Sequence, residues 1–199
     1  MFKMFGISSK QPTAQIEGEN VVFMFDTPHL MKSVRNNLMK HSFLVDGNTV
    51  KWDYIKQFYE CDSKMNIRMA PKLTDKHLDL PPFAAMRVCL ATQVISHTVA
   101  AGILTYVTLG KLPDEAMATA EFVEKFDGLF DCFNVRNVHG PKPLHCALTG
   151  SSVHWSHLET CEKMLRKLKV LGSKVPTPCV EGWLLNIVSL RILWSVMSI

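Results

Sequence analysis

Between Val21 and His41 the chain passes abruptly from one kind of structure to another. Val21–Phe25, VVFMF, is a short and uniformly apolar run, the type that forms a strand buried on both faces. Asp26 or Thr27 can then cap a helix, with Pro28 at its first position, where a missing N–H loses nothing. Leu30, Val34 and Leu38 recur at helical spacing, which assigns Lys32, Arg35 and Lys40 to other sides. A buried strand feeding a capped helix with a basic flank suits the edge of an α/β core that handles phosphate.

With 199 residues the chain can build one good core, or one domain and part of another. Its 47% apolar and 20% charged residues are a folded composition, not a disordered one. A formal charge of +4 tolerates nucleotide or nucleic acid as a partner, but no Lys/Arg-dense stripe marks a dedicated DNA-binding module. The six cysteines contain no CxxC pair, and MFKMFGISSKQP lacks the apolar core of a signal peptide. The expectation is a reduced intracellular compartment. Val88–Leu109 holds no Asp, Glu, Lys or Arg and is long enough to span a bilayer. It also carries Gln93, Ser96, His97 and several threonines, so a central buried helix is expected here and no membrane partner.

Along the chain, SFLVDGNTVK (Ser42–Lys51) reads as a hairpin turning at Asp46-Gly47-Asn48, with Gly and Asn supplying positive φ angles. Trp52–Glu60 reads as a short helix with Trp52, Ile55 and Tyr59 on one face. A polar stretch to Leu80 precedes Pro81-Pro82, which opens one long apolar helix to about Leu109. Thr119–Phe133 is a helix with six aliphatic and aromatic residues at 3/4 spacing. Trp155–Leu171 is amphipathic, with Trp155, Leu158, Cys161, Leu165 and Leu168 inward, and stops at Gly172. A Pro-containing linker, Ser173–Cys179, leads to a final apolar helix, Glu181–Met197. The sum is mainly α, with a strand and a hairpin near the N-terminus.

Two groupings could carry chemistry. Asp131 and Asn134 in GLFDCFN stand three apart, so on a helix they share a face and can converge on one ligand. A carboxylate accepts two N–H bonds from a guanine edge, and Phe130 or Phe133 offers a ring for stacking. An ordinary amphipathic helix with Phe in the core and solvated Asp and Asn explains the same spacing. His154, His157 and Cys161 form H-x-x-H-x-x-x-C, but no paired-Cys knuckle supports zinc and Cys161 fits the apolar face; no metal site is expected. His97, alone in an apolar helix, reads as a satisfied core histidine. No GxxxxGK[ST] occurs, so a Walker-type phosphate loop is excluded.

From Asp26 to Leu38 the chain reads D-x-P-H-L-x-K-S-x-R-N-N-L. This resembles the opening of the insertion domain of P-element-type transposases, the group that includes the THAP-domain relatives. The resemblance extends from about Val21 to Trp194, and the spacing from PKLT to FDxxN runs without insertions. It implies a helical domain that binds GTP without a P-loop, through Lys72, Val88, Ser96, Phe130, Asp131 and Asn134. Asp131 and Asn134 would recognise the guanine, Lys72 would supply positive charge and Phe130 would pack on the base. It further implies residues 1–25 as the end of a split RNase H-like half, 26–180 as the helical insertion domain, and 181–199 as a helix returning towards the nuclease core.

In the complete family enzyme, GTP promotes assembly on transposon DNA and is not hydrolysed for energy. Cutting DNA there needs three carboxylates and two divalent metals such as Mg2+. The resemblance places all three carboxylates outside this chain, which is therefore not expected to cut DNA alone. It also implies a nuclear location and contact with transposon DNA through a complete protein. The apolar final helix wants a partner, either the nuclease core or a second copy in a homo-oligomer, or else is buried within this domain. The contrasting readings are a nucleotide-free helical interaction or dimerisation domain and a non-functional transposon relic.

Overall fold

The computed structural model describes residues 2–135, 137–140, 142–172 and 177–197. A short 3-10 turn at Phe2–Phe5 leads to an antiparallel hairpin of β1 (Thr13–Ile16) and β2 (Glu19–Val22). Helix α1 (Thr27–Lys40) follows, then β3 (Phe43–Val45), β4 (Asn48–Val50) and α2 (Trp52–Asp62). Next come a single turn, α3 (Asp75–Leu78), a 3-10 turn (Ala84–Met86), α4 (Val88–Val94), α5 (His97–Thr108) and α6 (Ala116–Phe133). Helix α7 (His154–Lys167), strand β5 (Lys169–Val170) and helix α8 (Pro178–Met197) complete the order. Of the expected linker at 173–179, residues 173–176 lie outside the described residues.

Several elements form for the reasons legible in the sequence. Asp26 caps α1 by accepting the His29 N–H at 2.9 Å, with Pro28 in the first turn. The β3–β4 turn takes positive φ at Asp46 (49°) and Gly47 (85°), so Asp46 fills the place expected of Asn48. Asp-Gly is a favoured pair for that twist-matched turn. An aromatic chain ties this hairpin to the helices. Phe43 meets Phe122 at 5.5 Å, Phe122 meets Phe126 at 4.5 Å, and Phe126 meets Trp183 of α8 at 6.1 Å. Such pairs add directional attraction to the apolar area they bury.

Other expectations are corrected. The strand at Val21–Phe25 is not buried on both faces: β2 ends at Val22, pairs among the described residues only with β1, and is half-exposed at best. Arg35 is not on a solvated side of α1 but fully buried. Its Nε donates to Asn36 Oδ1 at 2.7 Å and its Nη2 to the Ala85 carbonyl at 2.9 Å. Burial pushes the guanidinium pKa below its ordinary value. Helix α1 is covered by α4, α6 and α8 together, so its buried stripe is wider than one row of leucines. In α2 the buried face is Trp52, Ile55, Phe58 and Asp62, with Tyr59 at its margin.

The long apolar helix is broken in two. At Ile95–Ser96 the backbone leaves helical geometry, and the Ser96 hydroxyl caps α5 by accepting the Val99 N–H at 3.4 Å. Two apolar stretches, Val88–Thr108 and Pro178–Met197, have the length and composition of a membrane span, and the first contains this break. His97 is consequently exposed at the start of α5, not in the core, and pairs with Glu124 of α6 at 2.9 Å. Helix α7 ends at Lys167, short of Gly172, because Lys169 and Val170 add a third strand to the hairpin in the order β4-β3-β5.

Close helix approach depends on Gly102 of α5. A Cβ there would lie 2.4 Å from Cζ and 2.7 Å from Cε2 of Phe58. Phe58 is fully buried and held edge-on against Tyr106 at 5.3 Å, so its ring cannot yield. Gly102→Ala gains about 1 kcal/mol of helix propensity but overpacks the core by roughly 3 kcal/mol. Thermal unfolding should show a net loss of about 2 kcal/mol, a midpoint lower by roughly 4–8 °C. An unchanged or higher midpoint contradicts this packing.

Candidate functional site

Helix α5 lies along α6, and the loop before α3 approaches the start of α5 from the side. Together they enclose a cleft of about 520 Å³. One wall holds Lys72 and Leu73, another the first turn of α5 from Ser96 to Val99, and a third Asp127, Phe130, Asp131 and Lys142. Four of the six residues expected from sequence therefore meet in one cavity: Lys72, Ser96, Phe130 and Asp131. Val88 opens α4 and Asn134 is the C-cap of α6; neither is among the lining residues. Asn134 has left helical geometry (φ −111°, ψ 34°), so it does not simply continue the Asp131 face.

Each wall has its own support. The Lys72 loop is organised by Asp62, a fully buried carboxylate at the end of α2. Asp62 accepts the backbone N–H groups of Met69 (2.7 Å) and Ala70 (3.2 Å) and pairs with Arg68 at 3.3 Å. Arg68 in turn donates to the carbonyls of Ala70 and Leu73, which brackets Lys72. Beyond it, the Thr74 N–H donates to His77 Nδ1 at 3.0 Å, so His77 carries its proton on Nε2 and donates to Gln93 Oε1 at 2.7 Å. That contact ties the loop to the end of α4, beside the break that exposes the α5 amides.

The first turn of α5 presents backbone N–H groups without intrahelical partners, and the helix dipole favours an anion there. Lys72 adds an exposed ammonium nearby. The cleft also holds two carboxylates, and Asp127 takes a backbone hydrogen bond from His97 in that first turn. Asp131 is only 9% exposed, yet it lies at the edge of an otherwise apolar α6 face made by Phe122, Val123, Phe126, Leu129 and Phe130. Lys142, from the loop after α6, reaches its Oδ2 at 2.7 Å and that of Asp127 at 3.3 Å. Burial pushes the Asp127 carboxyl above its ordinary pKa against the pull of Lys142. Burial alone would lower the Lys142 pKa, but its bond to Asp131 and the two nearby carboxylates outweigh that and raise it.

Asp127 and Lys142 were not foreseen. Asp127 lies one turn before Asp131, and that i, i+4 spacing was the available signal; Lys142 sits in a loop whose path periodicity does not encode. The His154, His157, Cys161 grouping lies on helix α7. His154 is buried, and His157 Nε2 lies 3.3 Å from Cys161 Sγ. Burial pushes the Cys161 thiol up to about 12. Among the described residues no group of three His, Cys, Asp or Glu side chains could hold a metal ion.

The family model described as the TNP-like, GTP-binding insertion domain matches residues 28–147. The chain is 32% identical over 114 residues to the Transposable element P transposase of Drosophila melanogaster, covering 57% of this chain and 15% of the fly protein. Among solved structures it resembles the Drosophila P element transposase strand transfer complex with a TM-score of 0.88. That likeness covers 98% of this chain and 45% of the other, at 23% identity, which speaks for the fold alone.

Proposed function

The chain belongs to the family of TNP-like, GTP-binding insertion domains of P-element-type transposases, and from that premise we propose that its cleft between α5 and α6 binds GTP. The base lies where Asp131 accepts the guanine N1–H and amino hydrogens and Phe130 packs on the ring. The phosphates lie towards Lys72 and the Ser96–Val99 turn, where a cation and the helix dipole favour negative charge. What carries the reading is the meeting of three groups in one cavity: a buried carboxylate, a helix N-terminus and a lysine. Val88 and Asn134 act at its margins, through the start of α4 and the end of α6.

Residues 1–25 and 181–199 are the flanks through which this domain joins an RNase H-like core, and 26–180 are the insertion itself. Three contacts support the pairing of those flanks: Glu181 accepts the Ser9 N–H, Asn186 bonds both N–H and carbonyl of Phe25, and Ser189 donates to the Phe23 carbonyl. In a longer protein the bound GTP would act as an assembly cofactor on transposon DNA in the nucleus, with Mg2+ confined to the nuclease centre.

Equilibrium titration of the 199-residue chain with labelled GTP and ATP tests the assignment. Saturable binding with GTP preferred over ATP by roughly a hundredfold is expected from two charge-assisted bonds to the base. No binding, or equal affinity for both, overturns it in favour of a nucleotide-free interaction domain.

A further inference from the structure

The ammonium of Lys142 and the carboxylate of Asp131 stand side by side at 2.7 Å in the base end of the cleft. Guanine presents three groups in a row on its pairing edge: an acceptor at O6, a donor at N1 and a donor amine at C2. A cation next to an anion matches that row. Adenine reverses it, placing an amine against the ammonium and a bare ring nitrogen against the carboxylate. We infer that Lys142 donates to guanine O6 and so sets the preference for guanine over adenine in this cleft, an inference that rests on the GTP assignment above.

The surrounding contacts allow Lys142 to do this without leaving its place. Asp131 uses Oδ2 for Lys142, and its Oδ1 has no hydrogen-bond partner among the described residues. Asp127 holds the same ammonium from a second side at 3.3 Å, so Lys142 stays anchored when Asp131 turns to the base. About half of the Lys142 side chain is exposed, which leaves donor hydrogens free. Its loop is pinned to the end of α6 by His145, whose Nε2 bonds the Asn134 carbonyl at 2.9 Å and whose N–H donates to the Lys142 carbonyl at 3.1 Å. A lysine that only neutralised Asp131 would instead compete with the base and weaken nucleotide binding.

Titration of wild type, Lys142→Met and Lys142→Arg with GTP, 6-thio-GTP and ATP separates these roles. Lys142→Met should bind GTP roughly tenfold or more weakly and ATP almost unchanged, since one charge-assisted bond is lost. The sulfur of 6-thio-GTP is a poor acceptor, so wild type should bind it less well than GTP while Lys142→Met binds both alike. Lys142→Arg, which keeps a cationic donor, should retain the guanine preference. Lys142 is half-exposed, and an unchanged unfolding midpoint for each variant verifies that the fold is intact. Equal or tighter GTP binding by Lys142→Met overturns the inference and leaves the GTP assignment standing; a wild-type chain that binds no guanine nucleotide overturns both.

Discussion

Asp62→Ala is expected to destabilise the fold by about 3 kcal/mol or more, the largest effect of any single change considered for this chain. Asp62 is a fully buried carboxylate that holds two backbone N–H groups and the Arg68 guanidinium, and the Tyr106 hydroxyl donates to it at 3.4 Å. Removing it strands those donors in the interior, each at the desolvation cost of an unmade bond. Thermal unfolding should show a midpoint lower by roughly 6 °C or more. Asp62→Asn keeps the volume but turns an amine towards some of the donors, so an intermediate loss is expected. Because the same bonds shape the loop from Arg68 to Leu73, surviving folded protein should also bind GTP more weakly. A midpoint within experimental error of wild type sinks the proposed hub.

Asp131→Ala tests the base end of the cleft. Its loss removes two charge-assisted bonds to guanine, and the dissociation constant for GTP should rise roughly a hundredfold. ATP binding should change little, so selectivity is lost along with affinity. Stability should change far less than for Asp62, because the Lys142 partner is half-exposed and can be solvated when left alone. Asp131→Asn offers a sharper reading. An amide presents a donor where the carboxylate accepted, so preference should move from GTP towards xanthosine triphosphate, whose ring carries a carbonyl at that position. GTP affinity unaffected by Asp131→Ala excludes this carboxylate as the base-reading group.

The two residues differ in how visible they were beforehand. Asp131 interrupts an apolar helical pattern, and the i, i+3 spacing to Asn134 drew attention to the same turn. Asp62 follows the stretch read as a helix and has no spacing partner at all. Its importance comes from a loop folding back over the end of α2, which brings Met69 and Ala70 onto one carboxylate. Ser96 shows the same limit in another form. An apolar run with one serine reads as a single helix, since a hydroxyl can bond a preceding carbonyl as easily as it can cap. Only packing of α5 against α6 selects the cap, and with it the exposed amides and the exposed His97.

The expectation for Arg35 fails because amphipathic reasoning assumes one buried face and one solvated face, and that for the N-terminal strand because a uniformly apolar run is read as buried on both faces. Helix α1 violates the first assumption, with a guanidinium enclosed beside the Ala85 carbonyl. In the β1–β2 hairpin only Val21 and Val22 of that run join the strand, and they are half-buried because β1 alone pairs with it among the described residues.

By itself the sequence determined the local devices: the Asp26 cap, the Asp46-Gly47 turn, the aromatic stripe of α6, and the D-x-P-H-L wording that marks the family. These depend on neighbours within a turn or two, where backbone sterics and side-chain spacing decide the outcome. The tertiary structure alone decided the strand-to-helix border at Asp26 to be a half-exposed hairpin followed by a deeply enclosed helix. It alone joined the Asp62-braced Lys72 loop, the α5 N-terminus and the Lys142–Asp131 pair in one cleft. Those groups lie far apart along the chain, and only the shared burial of helices α2, α5 and α6 brings their charges within reach of one ligand.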